Sequence, residues 1–192
     1  MKDFFKRAGW ALLAGLFLIT GLGVGLLAFW QATHPAKNTQ NTSTSTTQSI
    51  KCADDPSIQF NTSTGSAKLA GAKLSDYTPL PKLTAVECTD VKVGTIGQAV
   101  ASSSSITANY TGAVAATGVI FQSSLDNNGQ PFTTAISGVI PGWQEGLLGM
   151  KAGGERRLFV PAALAYGANP PAGSGIPANA DLVFDVSVIA VQ

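Results

Sequence analysis

The sequence predicts an α+β fold: an antiparallel β-sheet wrapped around one short α-helix, preceded by a single transmembrane helix. Three observations predict it. An unbroken apolar run from Trp10 to Trp30 marks a span at residues 10–31. Period-two alternation recurs from residue 83 to the C-terminus. It places Leu182, Phe184, Val186 and Val188 on one face, with Asp185 and Ser187 on the other, the pattern of a sheet with one covered face. Between the strands the period changes once. Trp143, Leu147 and Met150 fall at i, i+4 and i+7 behind Pro141, an apolar helical stripe following a residue suited to a first helical turn.

The apolar run comes first along the chain. Lys2, Lys6 and Arg7 precede it, and Trp10 and Trp30 mark its ends. About 20 apolar residues suffice to cross a hydrocarbon core of ~30 Å. The basic residues before the span put residues 1–9 in the cytoplasm and the remainder on the extracytoplasmic side, and the tryptophans sit where an aromatic belt forms. A cleaved signal peptide is the alternative. The exit, "AFWQATHPA", carries bulky Phe29 and Trp30 where cleavage needs small residues, which favours an uncleaved signal anchor. Gly21 and Gly25 form a GxxxG pair, able to bring two such helices close.

Residues 32–49 are rich in Ser, Thr and Asn, without apolar periodicity, and read as a flexible tether. Residues 50–82 read as an N-terminal extension of a domain at 83–192. Cys52 and Cys88 are the only cysteines. In an exported protein one disulfide is the natural reading; two unrelated thiols are the alternative. Asn41, Asn61 and Asn109 match the glycosylation sequon. Within the domain, "SITANYTG" sets Ile106, Ala108 and Tyr110 on one face, "TGVIFQSS" does the same for Val119 and Phe121, and "RRLFVP" is a short strand after Gly153-Gly154.

Composition excludes several function classes. Net charge is +1 and only 12% of residues are charged, so no basic footprint for nucleic acid exists. His34 is the single histidine, which removes histidine-based nucleophilic and metal-hydrolase schemes. Ser102 to Ser105 have no histidine partner, and the glycines at 21, 23 and 25 lie inside the apolar span, where no phosphate loop forms. No cofactor and no metal is expected. What remains is aromatic: Tyr110, Phe121, Phe132, Trp143, Tyr166 and Phe184 can all face one cavity, with ordinary core as the alternative.

The words around those aromatics are "NYTG", "IFQSS", "QPFTTAISGVIPGWQEGLLGMKAGGERRLFVPAALAYG" and "IPANADLVFDVSVIAV". Together, in one register over residues 83–192, they resemble the FKBP family of peptidyl-prolyl cis/trans isomerases. The resemblance implies a sheet of five or six antiparallel strands around one helix. It implies that Trp143 is the floor of a proline pocket. Tyr110, Phe121, Phe132 and Phe184 are then its walls, joined by Val139, Ile140 and Ile176. It also implies that the Ile140 N–H and the Tyr166 hydroxyl donate to carbonyls of a bound peptide or macrolide, and that "AYGANPPAGSGIPAN" overhangs the pocket. Gln122 stands where the family usually has a pocket aspartate, which implies weaker macrolide binding and slower turnover. The segment "LDNNGQPF" is one residue longer than the commonest spacing, and no inserted chaperone domain separates Tyr166 from Ile176.

That activity explains the absence of proton-transfer groups. Rotating an X–Pro amide makes and breaks no covalent bond. Its barrier, ~18–20 kcal/mol, is lost amide resonance, and the uncatalysed step takes tens to hundreds of seconds. A water-stripping apolar pocket disfavours the polar planar amide more than the twisted one, and shape complementarity to the twisted conformer adds differential binding. The sequence therefore supports a membrane-tethered isomerase acting on proline-containing polypeptides during the folding of exported proteins. The runner-up is a tethered module that binds proline segments with little turnover, and the third reading is an exported domain with a filled aromatic core.

Overall fold

The structure, a computed structural model, describes residues 50–62 and 68–192. The expected transmembrane anchor at 10–31, the tether at 32–49, His34 and the Asn41 sequon lie outside the described residues. Among the described residues no helix is long and apolar enough to cross a membrane.

Among the described residues seven strands form one sheet: β1 (Ala53–Asp54), β2 (Glu87–Lys92), β3 (Ser105–Val114), β4 (Ile120–Ser123), β5 (Phe132–Ala135), β6 (Glu155–Val160) and β7 (Leu182–Val191). Their order is β1-β2-β6-β7-β3-β4, with β5 also pairing β3. The sheet is thus larger than the expected five or six strands, and it is not wholly antiparallel, because two-residue β1 runs parallel to β2. β4 and β5 share one edge of β3. Thr111 to Ala113 face β4, whereas Ser105 to Ala108 face β5. The break between those two short strands falls opposite Tyr110.

Among the described residues one α-helix, α1 (Pro141–Gly146), lies on the front face with Pro141 in its first turn. It spans six residues, shorter than the apolar stripe implied. Leu147 is its C-cap and Met150 lies beyond its end, yet both are buried with Trp143. The helix backbone rests directly on β6, at two glycines. A Cβ at Gly142 would sit 2.3 Å from a Val160 methyl, and one at Gly146 would sit 2.1 Å from a Leu158 methyl. The front core gathers Trp143, Leu147 and Met150 with Ile106, Ala108, Leu158, Val160, Leu182, Phe184, Val186 and Val188. The inward residues of β3 and β7 match the alternation read from the sequence.

The back face is covered as well, contrary to the one-face expectation. Val183, Ala113 and Ile120 pack there against Leu74, with Leu69, Tyr77 and Phe159 around them. Val119 is only half-buried, and it is Ile120 that enters this second core. The cover comes from the N-terminal extension. Cys52 and Cys88 form a disulfide with Cα atoms 4.7 Å apart, fixing the start of the extension to β2. Further on, Arg157 of β6 holds it centrally. The guanidinium makes a bidentate pair with Asp185 (2.6 and 2.9 Å) and donates to the carbonyls of Asp76 and Ser75 (2.6 and 2.9 Å). The rings of Phe60 and Tyr77 lie 5.8 and 5.7 Å from it, within cation–π range. A buried ion pair of this kind persists because each nitrogen of the guanidinium and each carboxylate oxygen has a hydrogen-bond partner.

Two sequons are engaged in the fold. The Asn61 side chain donates to the Lys73 carbonyl and accepts from the Ser75 N–H, and the Asn109 carbonyl oxygen accepts from the Ser124 hydroxyl.

Candidate active site

The site is built on residues that strand alternation and the β4–β5 break bring to the front face. Five aromatic rings form a continuous chain in the order Phe132, Tyr110, Trp143, Phe184, Phe121. Successive centroids are 5.7, 5.5, 5.4 and 5.9 Å apart, and every pair meets edge to face. That is the arrangement ring quadrupoles favour, at their usual separations. Trp143 sits at the middle of the chain, 4% exposed like Phe184, whereas Phe132 at the end is 39% exposed. Tyr110, Phe121, Tyr166, Val139 and Ile140 are half-buried against the same cluster, and Ile176 is buried in it. The cluster is therefore graded, from a buried floor at Trp143 and Phe184 to an open rim at Phe132.

The groups around it position these rings. α1 begins at Pro141, so Trp143 projects from the first turn and its N–H closes onto the Ile140 carbonyl at 2.9 Å. The Gln144 side-chain amide donates to the Val139 carbonyl at 2.8 Å, holding the segment that leads into the helix. On the far side, Asp181 accepts from the N–H groups of Leu83 and Ala162 at 2.7 and 2.8 Å, and pairs with Lys82. It thereby joins the end of the extension to the segments flanking β6 and β7. The indole N–H of Trp143 is buried with no hydrogen-bond partner among the described residues.

Nothing in this cluster exchanges a proton near neutral pH. Burial raises the Tyr110 hydroxyl above its ordinary value, and the nearby Tyr166 adds to the rise; burial alone raises Tyr166. Both stay neutral and able to donate. Among the described residues no three His, Cys, Asp or Glu side chains gather to hold a metal ion. The arrangement can bind an apolar ring, strip it of water and offer hydroxyl donors at the rim.

Of the residues singled out by sequence, Tyr110, Phe121, Phe132, Trp143 and Phe184 meet ring to ring, and Val139, Ile140, Tyr166 and Ile176 join the same cluster. Gln122 follows Phe121 on β4 and is exposed. Sequence reasoning passed over Gly112. A Cβ there would lie 2.6 Å from Cζ of Phe121 and 2.9 Å from Cε1 of Phe184, so only glycine lets those rings meet over β3. Glycine inside an alternating strand is a signal of close approach. Gln144 carried no sequence signal, because its partner is a backbone carbonyl.

Comparison with known proteins follows the same lines. Residues 97–189 match the family model for FKBP-type peptidyl-prolyl cis-trans isomerases. The chain is 42% identical over 105 residues to FK506-binding protein 4 of Chaetomium thermophilum, covering 54% of this chain and 20% of that one. It is 42% identical over 100 residues to the FKBP-type peptidyl-prolyl cis-trans isomerase FkpA of Escherichia coli, covering 50% of this chain and 34% of the relative. The chain spans less than half the length of these two curated relatives. A crystal structure of a peptidyl-prolyl cis-trans isomerase from Pseudomonas syringae superposes with a TM-score of 0.50 at 31% identity, covering 56% of this chain and 75% of the other. With a matching family model, a matching fold and a graded aromatic site in the matched region, this chain belongs to the FKBP-type peptidyl-prolyl cis-trans isomerase family.

Proposed function

We propose that this protein catalyses cis/trans isomerisation of X–Pro bonds in exported polypeptides, at the aromatic site around Trp143. The observation that carries the reading is the edge-to-face chain of five rings, buried at Trp143 and Phe184 and open at Phe132. A substrate proline rests on the indole, and the rings exclude water from its amide. The twisted amide, with less charge separation than the planar one, is then the better fit to the cavity. Tyr166 and the Ile140 N–H donate to flanking carbonyls, and Gln122, exposed beside Phe121 on β4, tunes affinity. Macrolide inhibitors of the family compete for the same space.

The site works outside the cytoplasm, tethered by a signal anchor at residues 10–31. Lys2, Lys6 and Arg7 ahead of the apolar run support that orientation. The Cys52–Cys88 disulfide supports an oxidising compartment.

The test is isomerisation of a short X–Pro peptide by the full chain and by Trp143→Ala, with circular dichroism to establish that both are folded. Acceleration by the wild type that falls at least about tenfold in the variant, a loss of ~1.4 kcal/mol of transition-state binding, supports the reading. A folded wild type that binds the peptide without accelerating it overturns the enzyme and leaves a proline-binding module.

A further inference from the structure

β4 carries Phe121, one wall of the site, yet it is only four residues long and stands last in the strand order. One side of it pairs with β3. The other side is taken up by the extension. The Gly71 N–H donates to the Ile120 carbonyl at 2.8 Å, the Ile120 N–H to the Ala72 carbonyl at 2.9 Å, and the Leu74 N–H to the Gly118 carbonyl at 2.8 Å. Lys73 lies opposite Val119 in an antiparallel bridge. Residues 71–74 thus act as an additional short strand on an edge that would otherwise be open.

Beyond that ladder a side chain takes over. Asp126 closes the 3-10 turn that follows β4, and its carboxylate accepts from the Leu69 N–H at 2.6 Å and the Ala70 N–H at 2.9 Å. Two bonds to an ionised acceptor are the strong class of hydrogen bond. Phe121 therefore sits between two attachments, the backbone ladder before it and Asp126 after it. Its ring is half-buried and passes over Gly112, which has no Cβ to hold it. Packing against Phe184 covers the ring only in part, so the backbone of β4 also sets its place.

We infer that Asp126 is a positioning residue for the pocket wall, acting through residues 69–74 of the extension on β4 and Phe121. The inference rests on the isomerase reading for its kinetic consequence, but not for its structural one. The family match begins at residue 97, so this anchor lies outside the matched segment at one end and inside it at the other.

The experiment compares full-chain wild type, Asp126→Ala, Asp126→Asn and Tyr77→Phe. The last removes a different anchor of the same extension, the Tyr77 hydroxyl bond to the Ala115 carbonyl at 2.7 Å. Hydrogen exchange of the β4 amides, thermal stability, and KM and kcat on an X–Pro peptide are read for each. Loss of hydrogen bonds to a charged group predicts β4 exchange about tenfold faster in Asp126→Ala. KM rises about fivefold with kcat within twofold, because a wall touches ground and transition states alike. Asp126→Asn, which keeps an acceptor oxygen, falls between, and Tyr77→Phe moves neither quantity. Unchanged β4 exchange and KM in Asp126→Ala, or the same changes in Tyr77→Phe, overturn the inference. Should the wild type fail to accelerate the peptide, the isomerase reading falls, and β4 exchange alone decides the role of Asp126.

Discussion

Substituting Gly112 by alanine separates activity from stability at a single atom. The added Cβ meets Cζ of Phe121 at 2.6 Å, Cε2 of the same ring at 3.0 Å and Cε1 of Phe184 at 2.9 Å. Carbon atoms in contact settle at about 3.5–4.0 Å, so at least one ring must withdraw by roughly 1 Å. Phe184 is 4% exposed and held between Trp143 and Phe121, so it yields less. Phe121 is half-buried with its far end toward Gly112, and it takes the larger share of the shift. Stability then falls only by the lower part of the overpacking range, about 1–3 kcal/mol. The wall of the site, however, moves by about 1 Å, a misplacement able to cost up to ~100-fold in rate. The expected result is a kcat/KM on an X–Pro peptide lowered about 10- to 100-fold in a protein that still melts cooperatively. The assay is protease-coupled or direct isomerisation alongside thermal unfolding. A folded Gly112→Ala protein with kcat/KM within twofold of the wild type would refute the claim that Gly112 sets the Phe121 wall.

Other measurements probe the remaining features. Tyr110 and Tyr166 have hydroxyl pKa values raised above 10.0, chiefly by burial, and the other site residues do not titrate. Turnover should therefore stay flat from about pH 5 to 9, and a bell-shaped profile centred near neutrality would point to a group outside the cluster. Burial pushes the Asp181 carboxyl up, but donors from Lys82, Leu83 and Ala162 outweigh it and lower its pKa below 3.8. Its stabilisation is complete above the unfolded carboxylate range and is lost as pH falls through the folded value. Asp181→Asn should melt lower than the wild type at pH 7, with the gap closing as pH falls through the lowered folded value. Cys52 and Cys88 are separated by 36 positions, so opening the disulfide with a Cys52→Ser change should cost about 3–4 kcal/mol on the loop-entropy estimate. Denaturant unfolding with and without reductant checks this; a wild type indifferent to reductant contradicts it.

Much of the site is legible because strand periodicity is local. Two-residue alternation set Ile106, Ala108 and Tyr110 on one face of β3 and Phe184 on the same side of β7, and the register puts the two strands side by side. Pro141 before a tryptophan marked the start of α1. Those signals lie within a few residues of one another, so the sequence carries them directly. The extension is the opposite case. Nothing in "NTSTGSAKLAGAKL" announces that Leu74 fills a second core, or that Leu69 and Ala70 bond to Asp126 more than 55 positions later. The same holds for Arg157, whose alternation predicts only an outward side chain, while its partners come from β7 and from Ser75 and Asp76. By itself the sequence determined the front face and the aromatic residues, because hydrophobic period and ring placement are properties of short segments, while the family was legible only as a resemblance of several segments in one register. Only the tertiary structure decided the covered back face, the edge partner of β4 and the need for glycine at 112. Those depend on backbone bonds and close approaches between segments far apart in the chain, which local pattern does not encode.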